Sequence, residues 1–96
     1  MKFEYTLRNI DMETYSQDVY DKIVDIIKSK NPQDKFEITP KSHLTNDIGL
    51  DSMDFTEVII DIEKTYPISI SELEAGKIKD VEGLAILITK LINKKL

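Results

Sequence analysis

The stretch Asp47-Ile48-Gly49-Leu50-Asp51-Ser52-Met53-Asp54, running on into Phe55 and through to Tyr66, changes character at Ser52. Before it a polar, turn-rich loop holds Gly49 and the acids Asp47 and Asp51, with Ile48 and Leu50 set between them. After it Phe55, Val58, Ile59, Ile62 and Tyr66 follow the i, i+3, i+4, i+7 spacing of a buried helical stripe. Pro67 disfavours helical geometry at the residue before it, so the spacing predicts a helix over 52–66. Met53, Thr56, Glu57, Ile60 and Lys64 fall on a different, mixed stripe that should stay at least partly exposed. Ser52 thus stands at the mouth of a helix, where unpaired N–H groups and the helix dipole favour an attached anion.

Upstream, Tyr15, Val19, Ile23, Ile26 and Ile27 form the apolar stripe of an earlier helix. Thr14 followed by Gln17 fits a capping box at its start, and Asn31-Pro32 ends it. Residues 31–51 read as a long loop in which Phe36, Ile38, Leu44, Ile48 and Leu50 are spaced as anchors over the core. On the other side, Ser71 and Glu74 form a capping box for a short helix truncated near Gly76. Asp80 caps a last helix whose inner face is Val81, Leu84, Leu87, Ile88, Leu91 and Ile92. Gly83 weakens that helix by about 1 kcal/mol relative to alanine, which suggests a close helix crossing at that point. The expected fold is all-α: a small four-helix bundle of three longer helices and a short third one.

Phe3, Tyr5 and Leu7 alternate with polar residues as a strand would, but a lone short strand is marginal. Residues 1–13 are therefore expected to be a frayed or loosely docked extension to a domain at 14–96, with pairing to a second copy as the alternative. At 96 residues the chain holds one modest core, and its 41% hydrophobic content argues against wholesale disorder.

With no cysteine there is no disulfide framework and no thiolate ligand. No run approaches the about 18 apolar residues that indicate a membrane span, and the opening Met-Lys-Phe-Glu-Tyr lacks the apolar core of a secretion signal. Both point to the cytoplasm. The net charge of −5 is concentrated: residues 47–74 hold eight acids against Lys64 alone. Such a surface repels nucleic acid and steers basic protein partners.

Several chemistries could use Ser52. Nucleophilic catalysis needs a neighbouring base, but Leu50 and Asp54 stand where a Gly-x-Ser-x-Gly elbow has glycines, and the lone His43 reads as an ordinary loop residue. Asp47, Asp51 and Asp54 do not follow a calcium loop, since Gly49 is out of register. The plainest reading is that Ser52 simply caps its helix, worth about 1 kcal/mol. Attachment is compatible with capping. Gly49 permits a tight turn, Asp51 and Asp54 bracket the hydroxyl, and Met53 sets a large apolar side chain beside it.

Over roughly residues 14–96, and most closely over Asp47–Glu63, the chain resembles the acyl carrier proteins, in which a serine preceded by Asp and followed by Leu or Met begins the second helix. The resemblance implies that Ser52 receives 4′-phosphopantetheine from coenzyme A through a phosphopantetheinyl transferase, with Asp51 as the acid before it. The arm's thiol would hold an acyl group as a thioester, and the working sulfur would be imported into a cysteine-free chain. By the same resemblance Met53, Asp54, Thr56, Glu57, Ile60 and Glu63 contact acyl-transferring or acyl-activating enzymes with basic docking surfaces. Val58, Ile62, Ile70, Ala75 and Ile78 match residues of the core and of an acyl cavity.

The expectation is a monomeric carrier, not an enzyme, serving fatty acid or specialised lipid or polyketide synthesis. Asp51 leans away from peptidyl carriers, and Lys64, standing where bacterial fatty-acid carriers usually have an acid, leans towards a specialised system. An aminoacyl or D-alanyl carrier, or an unmodified adaptor with the same fold, remain the alternatives.

Overall fold

The computed structural model describes residues 15–30 and 37–95. The strand expected at Phe3–Leu7, the cap at Thr14, the Asn31-Pro32 stop and the anchor Phe36 lie outside them. Four helices occur among the described residues: α1 (Gln17–Lys30), α2 (Ser52–Thr65), the short α3 (Glu72–Gly76) and α4 (Val81–Lys95). Helix α1 packs against both α2 and α4.

The apolar stripes read from the sequence are the ones that close on one another. Ile23, Ile27, Val58, Ile62, Val81, Leu84 and Ile88 are fully buried, each contributing about 1.5–3 kcal/mol relative to exposure. Phe55, Ile59 and Tyr66 complete the α2 stripe at its margins. Ala85, not counted on the inner face of α4 from its spacing, is also fully buried.

Of the box expected at the start of α1 only Gln17 is described. Gln17 reaches forward, its Nε2 donating to Asp21 Oδ1 at 2.9 Å, while the Val19 amide donates to the Ser16 hydroxyl at 3.4 Å. The Ser16 amide donates to Thr89 Oγ1 of α4 at 3.1 Å, which pins this residue at the helix entrance.

The long loop is packed as its anchors suggest, with Leu44, Ile48 and Leu50 buried and Ile38 partly so. It also completes α4. The amides of Val81 and Glu82 donate to the carbonyls of Ser42 and Pro40 at 3.1 and 2.9 Å, and the Gly83 amide donates to Asp80 Oδ1 at 2.7 Å. The amides that the helix cannot pair internally are thereby satisfied.

Asp80 is thus the expected cap, but Gly83 has a different role from the helix crossing inferred from sequence. A Cβ there would lie 3.0 Å from Asp80 Oδ1 and within 4 Å of no other group outside its own helix and chain neighbours. Glycine makes room for the capping carboxylate. The capping box of α3 forms as read, with Glu74 N–H donating to Ser71 Oγ at 3.0 Å and Ser71 N–H to Glu74 Oε1 at 3.2 Å, and the helix ends at Gly76.

Candidate functional site

The turn before α2 is wound by its own backbone. Leu50 N–H donates to the Leu44 carbonyl at 3.0 Å and Gly49 N–H to the Thr45 carbonyl at 3.1 Å, and Gly49 takes φ +88°. That left-handed geometry is strained for a residue with a side chain, which is why glycine stands there. His43 holds the inside of the same turn. Its Nδ1 accepts the amides of Thr45 and Asn46 at 3.2 and 3.0 Å, while its own amide donates to Asp47 Oδ2 at 2.7 Å.

Asp51 leaves the turn in an extended conformation, and its Oδ1 accepts the Asp54 amide at 2.8 Å. Asp51, not Ser52, is therefore the cap of α2. Ser52 is the first helical residue, exposed, and no hydrogen bond of its hydroxyl is made among the described residues. The amides of Ser52 and Met53 likewise have no acceptor among those residues. A carboxylate holds the helix end, leaving the hydroxyl and two N–H groups outward.

Beside Ser52 opens a pocket of about 330 Å³ lined by Leu44, Thr45, Leu50, Asp51, Ser52, Phe55, Ala75, Gly76 and Ile78. Of the residues expected to form an acyl cavity, Ala75 and Ile78 line it. Val58, Ile62 and Ile70 do not: they belong to the closed core. Leu44, Leu50 and Phe55 take the lining positions, and the sequence marked these three only as packing residues. A larger depression of about 560 Å³ lies along α4 between Leu87 and Lys94, and Ser52 does not line it.

The outer face of α2 carries the expected mixture, with Met53 71% and Ile60 43% exposed. Thr56 is exposed and donates through Oγ1 to the Ser52 carbonyl at 2.9 Å. Its acids are less free than their sequence positions suggest. Asp54 is half-buried, and Glu63 Oε2 accepts the Ile70 amide at 2.8 Å, tying α2 to the segment that enters α3. Lys30, the last residue of α1, sits 2.7 Å from Asp61 Oδ2 and 3.8 Å from Glu57 Oε1. The Asp61 hydrogen bond, with the nearby charges of Asp61, Glu57 and Asp54, holds the Lys30 ammonium above its ordinary range. Neither Asp61 nor Lys30 was singled out in the sequence, where nothing marks a contact between the end of α1 and the middle of α2.

Among the described residues no three His, Cys, Asp or Glu side chains are grouped to hold a metal ion, and no helix is long and apolar enough to cross a membrane.

Comparison with known proteins agrees with this geometry. The family model described as "Phosphopantetheine attachment site" matches residues 21–88. The chain is 34% identical over 79 residues to an acyl carrier protein of Cyanidium caldarium, covering 81% of this chain and 92% of that protein. It is 35% identical over 78 residues to one of Amoebophilus asiaticus, covering 81% and 98%. In fold it is similar to the solution structure of the acetyl actinorhodin acyl carrier protein from Streptomyces coelicolor, with a TM-score of 0.65 at 20% identity, over 90% of this chain and 99% of that one. The helical bundle, the exposed serine and these relatives converge: the chain belongs to the acyl carrier protein family, whose members carry a covalently attached 4′-phosphopantetheine.

Proposed function

We propose that Ser52 is the attachment residue and that the chain carries acyl groups between partner enzymes without catalysing a reaction itself. The observation that carries this reading is the division of labour at the start of α2, where Asp51 caps the helix and the Ser52 hydroxyl stands exposed.

The residues present fit the group. A phosphodiester on Ser52 Oγ would meet the outward amides of Ser52 and Met53 and the positive end of the α2 dipole. When bound, the arm supplies the terminal thiol on which acyl groups are held as thioesters. Leu44, Leu50, Phe55, Ala75 and Ile78 offer an apolar recess next to that attachment point, where an acyl chain could be kept from water. The exposed Met53 and Ile60, with Thr56 and the acid Glu57 beside them, suit brief docking to basic surfaces. In this reading Glu63 positions the α2–α3 connection through Ile70. The pathway served is fatty acid or specialised lipid or polyketide synthesis, and the partners are a phosphopantetheinyl transferase and acyl-handling enzymes.

The test is intact mass after incubation with coenzyme A and a broad-specificity phosphopantetheinyl transferase. One added arm on the native chain and none on Ser52→Ala is the expected result. An unchanged native mass would overturn it and favour an unmodified adaptor of the same fold.

A further inference from the structure

Asp54, Glu57 and Asp61 lie three and four residues apart and so share one stripe of α2. Sequence alone makes this stripe a free acidic surface, but the fold sets a cation from another helix against it. Lys30 Nζ is 2.7 Å from Asp61 Oδ2 and 3.8 Å from Glu57 Oε1. Its side chain is only 19% exposed, against 54% for Glu57 and 34% for Asp61, so it is held against α2 and does not trail in solvent.

A partner approaching with Arg or Lys meets carboxylates that already have a counter-ion. Resting on the docking reading above, we infer that Lys30 is an internal competitor for Glu57 and Asp61, and that docking of a basic partner exchanges this lysine for a cation of the partner. Lys30 then sets how strongly the acidic stripe attracts. A partner relying mainly on charge is penalised, while one that also covers the apolar Met53 and Ile60 is favoured.

The test compares Lys30→Met, which keeps much of the apolar stem, with Lys28→Met. Lys28 is exposed on the same helix and makes no ion pair with any described residue, so its loss alters net charge equally without freeing an acid. With the basic transferase at low salt, Lys30→Met should be loaded about threefold faster than the native chain and Lys28→Met much less so, the gap closing as salt rises. Where the native chain is loaded, a Lys30→Met rate equal to or below native, or one matched by Lys28→Met, overturns the inference. Titration with a tetra-arginine peptide, read at the amide resonances of α2, decides it independently of loading. About threefold tighter binding to Lys30→Met is expected, and equal binding refutes it. A native chain that takes no arm while the peptide still distinguishes the variants would reject the attachment reading and leave the competition intact.

Discussion

Capping and attachment reside on neighbouring residues at the start of α2, and substitution can separate them. Asp51→Ala removes the acceptor of the Asp54 amide, a bond of 2.8 Å, and also the carboxylate at the positive end of the helix. The first loss costs about 1 kcal/mol and the second about 0.3–1 kcal/mol at an exposed site, roughly 1.5 kcal/mol together. For a domain of this size that lowers Tm by roughly 6–12 °C. Asp51→Asn keeps a capping oxygen and should lose only the charge contribution, less than half as much. Ser52→Ala should leave Tm within about 2 °C of native, because Ser52 is not the cap and alanine is the best helix former at its position. Thermal unfolding followed by circular dichroism, paired with the loading assay on the same samples, reads both properties. If Ser52→Ala lost about 1 kcal/mol while Asp51→Ala were silent, the assignment of the cap would be wrong and the exposed hydroxyl would lose its explanation.

Gly83→Ala should gain little or nothing despite the usual propensity advantage, because the new Cβ crowds Asp80 Oδ1 at 3.0 Å; in an Asp80→Ala background the same change should stabilise by about 0.5–1 kcal/mol, and equal effects in both backgrounds would count against the crowding argument. Glu63→Ala should cost about 1–2 kcal/mol by leaving the Ile70 amide without its acceptor, and Glu63→Gln clearly less, as measured by urea denaturation. Burial raises the Tyr20 and Tyr66 phenols, helped by Tyr15 and Asp21 in the first case and by Asp18 in the second, and Lys30 is raised by Asp61. All three bind their protons more firmly when folded, so their contribution is complete below about pH 10 and is lost as pH climbs through the raised folded values. Denaturation midpoints that stayed level beyond pH 10, or Tyr20 and Tyr66 ionising at the unfolded value, would contradict this.

The helices and the stripes they bury are legible in the amino-acid order, because a period of 3.6 with caps at Ser71 and Asp80 and a stop at Pro67 leaves few other ways to cover Val58, Ile62, Leu84 and Ile88. It also marked Ser52, since a hydroxyl between Asp51 and Met53 at the onset of such a pattern is a local signal. Features built from residues far apart in the chain emerge only when the helices pack. The pocket beside Ser52 is made where Leu44 and Leu50 of the loop meet Ala75 and Ile78, so spacing within one helix could not reveal its lining. Lys30 reaches Asp61 because α1 packs on α2, and the acids of α2 look free until that contact is known. The difference between Asp51 as cap and Ser52 as free hydroxyl is one residue of backbone geometry, set by the turn around Gly49, and a choice that fine is made by packing of the loop, not by composition.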